Sequence, residues 1–599
     1  MRVHRTLVAA VALALALPVA GRDSSVAHRL SDDVHYLAAP ALEGRFSGST
    51  GARVAADFIA ARFRELGLAP AGDTGTYFQT FSFIASVTPG PANRLAFRFP
   101  KAEAPARPEA DFRPLAFSSS GTATGEVVFA GYGIRSKDLG YDDYAGLDVK
   151  GKVVLVLRFG PDGDDPASRF QPYMALRRKA SEARDQGAVA LLVATGPVGA
   201  KDVAPIRISF DASFADSGLP VLGISTPLAE SLFRGHGFTL ADLQQRINER
   251  KEPASRPLGV EATLTADVVQ QRATAVNVLA TLSGSDPIRK GEYVVVGGHY
   301  DHLGYGGEGS GSLTPDVKAI HPGADDNASG TAGLLEIARE LAARPPERSL
   351  LFAAFAGEEE GLLGSAHLVQ HSPVAKEDIV AMINLDMVGR PKPGPALTLG
   401  GFATAKEWPG LIEKLNSNYH LKITTNKGGF GASDQSSFYA ADIPVLFFFT
   451  GAHEDYHKPS DTADKLDYAG MTEVVRFAAD ATRRVADLAS RPTFERVADE
   501  GAGERRGFRV RTGVIPEYGY EGPGVKLSGV RGGSPADKAG LAAGDIVVRF
   551  GDREIRNIYD YMYALGDHQP GESVVLTVKR GNETKQLAVT LEPGGSGGR

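Results

Sequence analysis

Cysteine is absent from the 599-residue sequence, and this absence excludes several kinds of chemistry. Without thiols the chain forms no disulfides and has no cysteine nucleophile, so any metal ion must be held by histidine, aspartate or glutamate. A lipid anchor attached through cysteine is excluded for the same reason. A basic excess is also missing, because the formal net charge is −7. We therefore expect no nucleic-acid partner, since phosphate binding needs clustered lysine and arginine.

Long apolar runs are missing everywhere except at the N-terminus. There, Arg2 and Arg5 precede a stretch of small and aliphatic residues that ends near Pro18 and Gly21, a pattern typical of a secretory signal. A membrane anchor is the alternative, but it needs about 20 apolar residues, and this run is shorter. We predict a cleavable signal peptide over residues 1–21 and a periplasmic or secreted product with no stable membrane span.

The remaining sequence predicts several domains, because 599 residues exceed the usual size of one domain. Four strand-like runs, at 125–134, 152–160, 188–195 and 219–225, indicate a β-rich domain inserted over residues 117–265. After it, strand-like and helical stretches alternate, which predicts an α/β fold with a mixed, largely parallel sheet flanked by helices. The expected layout is a main domain of two parts, the insert, a polar linker and a small β-rich domain (22–116 and 266–490; 117–265; 491–506; 507–593).

Five clusters of acidic and imidazole side chains each follow a short apolar run. They are GGHYDHLG at 297–304, GADDNASG at 323–330, GEEEG at 357–361, NLDM at 384–387 and DYHKPSDT at 455–462. If the runs are parallel strands, their carboxyl ends form one crevice, where ligands usually bind in open α/β sheets. The clusters therefore predict the site of a two-metal hydrolase that uses zinc.

A two-metal site needs a carboxylate shared by both ions, which polarise a carbonyl and activate a water between them. We expect Asp325 to be this bridge, because it lies in a glycine-bounded turn that opens the helix beginning near residue 328. His299 and Asp386, both just past strands, complete one predicted metal set. Glu359 and His457 complete the other.

Neighbouring residues predict the remaining roles. Beside the ligand Glu359, Glu358 is expected to stay free as general base, and Tyr456 is expected to donate its hydroxyl to a developing oxyanion. Asp301, two residues after His299, and Asp461, four after His457, are suited to orient the imidazoles by hydrogen bonds.

Other polar residues in these clusters have ordinary explanations. Asp326 and Asn327 are as well explained by capping the following helix as by a catalytic role. His302, His367 and His371 are predicted to lie outside the site.

The segment HEDYH at 453–457 formally matches the single-zinc protease pattern H-E-x-x-H. That pattern would make His453 and His457 the ligands and Glu454 the base, with both histidines on one helical face. Gly451 and Pro459 flank the segment and a strand precedes it closely, so its context disfavours a helix. The pattern also leaves the other four clusters unexplained.

The clusters resemble those of the secreted di-zinc aminopeptidases, a bacterial and fungal family that includes aminopeptidases S and Y and relatives of glutamate carboxypeptidase. In that family the matching positions of the five predicted ligands bind two zinc ions per chain, and the position of Glu358 is the base.

Residues 117–265 look like a protease-associated domain. Residues 507–593 look like a PDZ domain, which captures peptide C-termini by strand addition. One departure is SDQ at 433–435, where many relatives have SDH, and it bears on a histidine contact near the substrate.

The resemblance implies an exopeptidase, and an aminopeptidase that releases N-terminal residues from peptides is the leading expectation. A metal-bridged hydroxide would attack the carbonyl with Glu358 as general base. A carboxypeptidase is the alternative on the same site, and it would need cations such as Arg158, Arg177 or Arg178 to hold the substrate carboxylate. An inactive peptide-binding receptor and a single-zinc transferase like glutaminyl cyclase are the further alternatives.

Overall fold

The computed structural model describes residues 19–99, 102–199, 202–206, 216–307, 309–391, 396–497, 509–517 and 519–594. Most of the predicted signal peptide and much of the predicted linker therefore lie outside the described residues. Over the ranges that it does describe, none of the helices is both long and apolar enough to cross a lipid bilayer. The described chain is built around three principal sheets.

The chain begins with two helices and two strands that belong to the main domain. They are α1 Val19–Leu37, α2 Thr50–Glu65, β1 Ala69–Pro70 and β2 Phe78–Pro89. Helix α2 starts where the Ser49 hydroxyl accepts a hydrogen bond from the Ala52 amide, a common N-cap. It buries small residues together with Ile59 and Phe63, whereas Val54 on the same helix is 39% exposed. Its small buried residues let the helix lie close to the sheet.

Among its described residues, the inserted domain contains ten strands and three helices. In chain order they are β3 Arg94–Phe99, β4 Ala102–Pro105, β5 Phe112–Pro114, β6 Gly121–Phe129, β7 Arg135–Ser136, β8 Tyr141–Asp142, β9 Val153–Leu157, α3 Leu176–Asp185, β10 Ala190–Ala194, β11 Val221–Ile224, α4 Thr226–Ser231, α5 Leu240–Arg250 and β12 Arg256–Ala266. Eight strands form one sheet in the order β4-β3-β12-β6-β9-β10-β11-β5. Strands β6, β9, β10 and β11 overlap the four runs that the sequence predicts.

The start of the insert differs from the prediction. Strands β3 and β5 lie before residue 117, yet β3 pairs with β12 and β5 pairs with β11 inside the second sheet. The predicted boundary at residue 117 is therefore too late. The error comes from the proline- and alanine-rich stretch 102–116, which gives little alternation and contributes only two short strands, one at each edge of the sheet.

The main domain continues with a series of strands and helices that carries the predicted site. They are β13 Val268–Leu282, β14 Tyr293–His299, α6 Gly330–Ala343, β15 Ser349–Phe355, α7 Leu363–Gln370, β16 Ile379–Leu385, β17 Ala396–Gly400, α8 Trp408–Tyr419, β18 Lys422–Thr425, α9 Gln435–Ala440, β19 Val445–Phe449 and α10 Tyr468–Ala486. The sheet order is β1-β13-β15-β14-β16-β19-β17-β18, with β2 paired to β13.

Four neighbouring strands of this sheet, β15, β14, β16 and β19, run parallel. Their residues are buried on both sides, as is usual for parallel strands covered by helices. One face packs against α1, α2, α6, α8 and α10, and the other against α7 and α9. The sheet is therefore mixed and largely parallel at its centre, as predicted, and the carboxyl ends of these strands meet at one edge.

The C-terminal domain is small and rich in strands. Its elements are β20 Val510–Arg511, β21 Val514–Pro516, β22 Val525–Val530, α11 Pro535–Lys538, β23 Ile546–Phe550, β24 Arg553–Glu554, α12 Ile558–Gly566, β25 Ser573–Arg580, β26 Glu583–Thr590 and β27 Glu592–Pro593. A small β-rich domain is thus present at the C-terminus, as the sequence predicts. Its core is separate from those of the other two domains.

Helix α12 of the C-terminal domain packs on helix α3 of the insert. Asp560 is fully buried there and accepts hydrogen bonds from the Arg184 guanidinium at 2.9 Å and from the Ser181 hydroxyl at 2.8 Å. Arg178 pairs with Asp567 at 2.5 Å, and Arg553 pairs with Asp185 at 3.0 Å. Ion pairs thus hold the C-terminal domain against the insert.

Candidate metal centre

The candidate site lies where the parallel strands of the main sheet end. His299 is the last residue of β14, Asp386 directly follows β16, and the pair Glu358-Glu359 lies three residues beyond β15. His457 is in the loop after β19, and Asp326 precedes helix α6. Because these strands run parallel, their carboxyl ends bring residues that are far apart in sequence to one edge of the sheet, as the sequence predicts.

One group of side chains surrounds His299, which is 1% exposed. Its Nε2 atom lies 3.3 Å from Asp326 Oδ1, 3.5 Å from Asp386 Oδ1 and 3.9 Å from Glu358 Oε2. In this group, His299, Glu358 and Asp386 offer ligand atoms that all lie within 4.8 Å of one another. These are distances over which a single cation can contact several side chains at once.

A second group surrounds Glu359. The Nε2 atom of His457 lies 3.2 Å from Glu359 Oε2 and 3.2 Å from Asp326 Oδ2. On the other side of the same carboxylate, His302 Nδ1 lies 2.6 Å from Glu359 Oε1. Each oxygen of Glu359 therefore faces a different imidazole.

Asp326 is the residue common to both groups, because its Oδ1 faces His299 and its Oδ2 faces His457. The prediction that Asp325 bridges the two sets is wrong in this respect. The Asp325 carboxylate turns away from both imidazoles, accepts a hydrogen bond from the Gly389 amide at 2.7 Å, and lies 3.2 Å from His453 Nε2. The shared carboxylate is one residue later in the turn.

Hydrogen bonds to the backbone fix this turn and explain which aspartate faces the centre. The carboxylate of Asp461 accepts from the amides of Asp325 and Asp326 at 3.0 and 3.1 Å. Asn327 accepts from the Gly330 amide at 2.8 Å at the start of α6, as its predicted capping role requires, and donates to Leu385 O at 3.0 Å. With both neighbours held by the scaffold, the side chain of Asp326 points into the site.

Asp461 therefore does not orient His457, contrary to the prediction. The turn after His457 carries Asp461 beneath the Asp325–Asp326 backbone, where it also lies 3.4 Å from Arg390. The imidazole of His457 instead makes a 2.9 Å hydrogen bond from Nδ1 to the carbonyl of Gly311. A carbonyl only accepts, so Nδ1 carries the hydrogen and the lone pair of the neutral ring is left on Nε2.

His299 is oriented in a similar way. Its Nδ1 lies 3.3 Å from Asp301 O and 3.7 Å from Asp301 Oδ1. The same aspartate accepts from the Ser47 hydroxyl at 3.0 Å and from the Glu358 amide at 3.4 Å. Asp301 thus lies beside His299, where the sequence predicts it, and also contacts the backbone that carries Glu358.

His302 is a residue of the site that the sequence reasoning missed. It is fully buried, contacts Glu359, and belongs with Asp326 and Glu359 to a set of potential ligand atoms within 4.8 Å. Its spacing three residues after His299 was a signal, since a loop leaving a strand end can turn both imidazoles toward one crevice. His367 and His371 lie apart, stacked on each other at 4.3 Å on and beside helix α7.

The H-E-x-x-H reading of residues 453–457 is wrong. The segment forms turns and no helix, so His453 and His457 do not share a helical face. They contact different aspartates, Asp325 and Asp326 respectively. Glu454 is exposed.

Burial and crowding of like charges shift the acid groups strongly. Burial raises the pKa of Glu358 well above its usual range, and the neighbouring carboxylates of Glu359 and Asp386 add to the effect while His299 opposes it. Burial also disfavours ionisation of Asp326, but the imidazoles of His299 and His457 beside its two oxygens outweigh burial and hold its pKa well below the usual range. These opposite shifts separate a proton-holding carboxyl from an ionised one.

The histidines respond to the same carboxylates. Burial opposes protonation of His457, but its hydrogen bonds to Asp326 and Glu359 prevail and raise its pKa to about 11. A metal ion requires the neutral imidazole, so metal binding here must release that proton. The pKa of Tyr456 is also raised, by burial and by Asp326 and Glu359, so its hydroxyl keeps its hydrogen. Its ring stacks on His457 with centroids 3.9 Å apart.

The side chains around His299 fit a bound zinc ion. His299 Nε2 and Asp386 Oδ1 are buried without hydrogen-bond partners in the structure, and they lie 3.5 Å apart. Two such acceptor atoms cannot satisfy each other when the imidazole is neutral, whereas a cation between them satisfies both. Imidazole nitrogen and carboxylate oxygen are also the ligands that zinc takes in proteins without cysteine.

The SDQ segment at residues 433–435, which differs from the SDH of many relatives, lies against the same edge of the sheet. Asn384 donates to Gln435 Oε1 at 2.9 Å and to the Ser433 hydroxyl at 2.8 Å. Gln435 is 2% exposed and is thus held inside the protein by Asn384. Asp434 is buried beside it, and burial raises the pKa of its carboxyl to about 7.

Three protein-family models match the chain. Residues 277–482 match Peptidase family M28, residues 123–232 match the PA domain, and residues 505–591 match the PDZ domain. All three sections of the predicted architecture therefore have a counterpart among known families.

Several curated proteins are similar to the main domain. The chain is 30% identical over 232 residues to the uncharacterized protein YfbL of Escherichia coli strain K12, covering 33% of this chain and 68% of that protein. It is 27% identical over 367 residues to the aminopeptidase YwaD of Bacillus subtilis strain 168, covering 58% and 66% respectively. A probable zinc metalloprotease of Pyrenophora teres f. teres is 48% identical over 117 residues, 19% of this chain and 23% of that protein. The match thus spans about a quarter of this fungal relative.

A solved structure with a related arrangement is the aminopeptidase from Aneurinibacillus sp. strain AM-1. It has a TM-score of 0.47 and 21% sequence identity, and the superposition covers 80% of this chain and 96% of that chain.

Proposed function

The chain belongs to peptidase family M28, and from this premise we propose that it is a zinc-dependent aminopeptidase that holds two metal ions per chain. The observation that carries the proposal is the carboxylate of Asp326, which faces His299 with one oxygen and His457 with the other. A carboxylate shared in this way is what a two-metal hydrolase requires.

In this proposal His299, Asp386 and Asp326 hold one zinc ion, and Asp326, Glu359 and His457 hold the other. Bound zinc would supply a Lewis acid for the substrate carbonyl and would lower the pKa of water. Asp301 and the carbonyl of Gly311 keep the two ligand imidazoles in the tautomer whose Nε2 faces the centre. His302 holds the second oxygen of Glu359 and so restricts rotation of that carboxylate.

Glu358 is proposed as the general base and then general acid. Its carboxyl lies 3.9 Å from His299 Nε2, beside the metal set, and its backbone amide is fixed by Asp301. Its raised pKa favours a carboxyl that takes a proton and returns it to the leaving amine. Bound cations would counter part of this shift, because the neighbouring carboxylates that raise it would then be neutralised. Tyr456, which keeps its hydroxyl hydrogen, is the proposed donor to the developing oxyanion.

The placement of arginines favours an aminopeptidase over a carboxypeptidase. Arg177 stacks on Phe117 and Tyr559, and Arg178 pairs with Asp567, so both are engaged where the insert meets the C-terminal domain. Arg158 lies over the ring of its neighbour Phe159. By contrast, the centre itself is rich in carboxylates, which suit the ammonium group of a free N-terminus. The relation to an aminopeptidase of Bacillus subtilis supports the same choice.

Hydrolysis of a peptide panel tests the proposal. Peptides with free, N-acetylated or C-amidated ends are incubated with the purified full-length protein, and zinc is counted in the same sample. We expect cleavage to require a free N-terminus, to tolerate C-terminal amidation and to accompany about two zinc ions per chain. A requirement for a free C-terminus would favour the carboxypeptidase. One zinc with N-terminal cyclisation would favour the transferase, and bound zinc without any cleavage would favour a binding role.

The C-terminal domain is proposed to capture peptide C-termini. Strand β21 pairs with β22 on one side only among the strands that the structure describes, so its other edge is open to strand addition. Fluorescence anisotropy with free and C-amidated versions of the same labelled peptides tests this role. Binding that survives amidation would contradict it, since the carboxylate is the recognised group.

Export is proposed on the basis of the N-terminal sequence, most of which lies outside the described residues. N-terminal sequencing of the protein recovered from periplasm and medium would test it. A mature protein that begins near residue 22 is expected, whereas retention of Met1 in the cytoplasm would contradict export.

A further inference from the structure

A buried arginine lies beneath the metal centre and contacts none of the side chains proposed as ligands. Arg45 is fully buried, at 0% exposure, although it comes from the N-terminal part of the chain, more than 250 positions before His299. Burial lowers its pKa to about 10, while Asp301, Asp326, Asp461 and Glu359 oppose that shift. Arg45 is therefore a cation at neutral pH, and a buried cation needs an explanation.

All four hydrogen bonds that Arg45 donates end on backbone carbonyls. Its Nε donates to Tyr300 O at 2.7 Å, and its Nη2 donates to Gly323 O at 2.9 Å. Its Nη1 donates to Pro322 O at 2.7 Å and also to Leu37 O. The planar guanidinium thus donates hydrogen bonds to two loops at once, from N–H groups whose directions are fixed. The ammonium group of a lysine cannot provide this geometry.

Those two loops carry proposed metal ligands. Tyr300 directly follows His299, and Gly323 lies three residues before Asp326. The first is the loop leaving β14, and the second is the turn that opens α6. Arg45 therefore ties the loop of one ligand histidine to the turn that presents the shared aspartate.

The backbone around Arg45 reinforces this tie. The Arg45 carbonyl accepts from the His302 amide at 3.2 Å, and the Gly44 carbonyl accepts from the Gly304 amide at 3.0 Å. Glu43, Gly44 and Arg45 all have positive φ angles, of 50°, 72° and 51°. A side chain at Gly44 would meet the carbonyl oxygens of Gly304 and His321 at 2.4 and 2.6 Å. Close contact with the loop thus requires glycine at position 44.

We propose that Arg45 is a positioning residue of the metal centre, which holds the loop after His299 and the turn before Asp326 in their metal-binding arrangement before any metal is bound. This inference rests on the proposed two-zinc site, and it adds the residue that holds the His299 loop and the Asp326 turn together. The guanidinium of Arg45 bonds to backbone carbonyls and to none of the proposed ligand side chains, so it acts through the backbone of these loops.

The competing explanation is that Arg45 only balances the negative charge of the site, and the two explanations predict effects of opposite sign. Zn²⁺ is itself a cation, so removing a nearby positive charge without moving the ligands would strengthen zinc binding. If Arg45 instead positions the two loops, removing it displaces the ligands and weakens zinc binding. Partners that orient metal ligands are typically worth about 10–100-fold in metal affinity.

The test measures zinc affinity of full-length R45K and R45M by competition with a chelator, with the absorption spectrum of the cobalt-substituted proteins as a second readout. We expect both variants to bind zinc about 10–100-fold more weakly than wild type, and the cobalt spectrum to change. R45K keeps the positive charge but lacks the planar set of N–H donors, so zinc affinity equal to wild type in R45K would overturn the proposal. Unchanged or tighter zinc binding in R45M would overturn it as well.

Arg348 supplies a matched control. It is 1% exposed and donates to Ala486 O, Leu488 O and Glu292, at the opposite end of strand β14 from His299. R348K should lower the melting temperature while leaving zinc affinity and the cobalt spectrum at wild-type values. If R348K weakened zinc as much as R45K, the effect would reflect general destabilisation and the proposal would fail. If wild type itself bound no zinc, the proposed function would fail instead.

Hydrogen exchange on the wild-type protein gives a measurement that needs no folded variant. The amides of His302 and Gly304 are held by the turn that carries Arg45, and those of Asp325 and Asp326 by Asp461. We expect these four amides to remain protected after zinc has been removed with a chelator. Their rapid exchange in the metal-free wild type would overturn a metal-independent arrangement.

Discussion

Buried charges have different partners in two regions of the molecule. Where the insert meets the C-terminal domain, Asp560 accepts from Arg184 and Ser181 with one oxygen and from the Arg556 amide with the other. At the metal centre, His299 and Asp386 keep buried atoms without partners, 3.5 Å apart. Both regions are buried and charged, but Asp560 has partners for both of its carboxylate oxygens, whereas the atoms of His299 and Asp386 that face each other do not. The comparison indicates that buried charge with all its partners stabilises structure, whereas buried acceptors that face each other indicate a cation site.

Replacing Glu358, the proposed general base, should cause the largest loss of activity, and it should leave stability unchanged. E358Q should lower kcat about 10²–10⁴-fold, since general acid–base catalysis contributes on this scale, while zinc content and melting temperature stay close to wild type. Single-turnover hydrolysis together with metal analysis of the same sample checks this. Near-normal turnover would remove Glu358 from the mechanism, and loss of zinc would make it a ligand.

The two neighbouring aspartates give a sharper test of which carboxylate is shared. D326N should weaken zinc binding by more than about 100-fold, because a ligand is lost to both ions, whereas D325N should weaken it by about 10–100-fold at most, as an outer contact. Chelator competition on both variants measures the difference. Equal losses, or a larger loss in D325N, would restore Asp325 as the bridge.

Replacing Asp560 should have the opposite effect, because this residue is assigned to stability and not to zinc binding. D560A leaves a buried guanidinium with fewer partners and should cost about 3 kcal/mol of unfolding free energy, in the range for breaking buried ion pairs. The double variant R184M/D560L should recover part of that loss, and neither should change zinc content. Urea denaturation with zinc analysis provides both numbers. Loss of zinc in D560A would show that the two regions are not independent.

The last prediction concerns the pH dependence of stability and the buried acid of the insert. Burial raises the pKa of Asp143 to about 7, against hydrogen bonds from Tyr141 and from the amides of Tyr132 and Ile134. The folded state therefore holds this proton more tightly than the unfolded state. The resulting stability is fully present below pH about 4 and is lost as pH rises toward 7, by at most about 4 kcal/mol.

Replacing this acid removes the proton concerned. D143N should flatten the decline in melting temperature between pH 4 and 7 relative to wild type. Thermal denaturation at intervals of half a pH unit, with zinc saturating throughout, measures both profiles. Parallel profiles would mean that Asp143 stays ionised in the folded protein.

The sequence alone predicted most of the scaffold, because its buried strands read as uninterrupted apolar runs. Strands β9, β15 and β16 are buried along their whole length, and β14 is buried except at Tyr293; each corresponds to a run that the sequence shows directly. The start of the insert was placed too late because β4 and β5 are short edge strands. Pattern is weakest where a strand is brief and only partly buried.

The site was predictable as a set of clusters but not in its finest detail. Side chains of adjacent residues, such as Asp325 and Asp326, point in different directions according to backbone angles that the sequence does not state. Contacts between distant loops were also out of reach, including Asp461 beneath the Asp326 amide, His302 beside Glu359, and Arg45 across two loops. These depend on tertiary packing, so only the three-dimensional arrangement reveals them.

Anomalous diffraction at the zinc absorption edge, from crystals of the zinc-loaded protein, would locate each bound metal ion. We expect two peaks, one on each side of the Asp326 carboxylate, with His299 and Asp386 beside the first and Glu359 and His457 beside the second. A single peak, or a peak between Asp325 and His453 in place of either, would contradict this expectation.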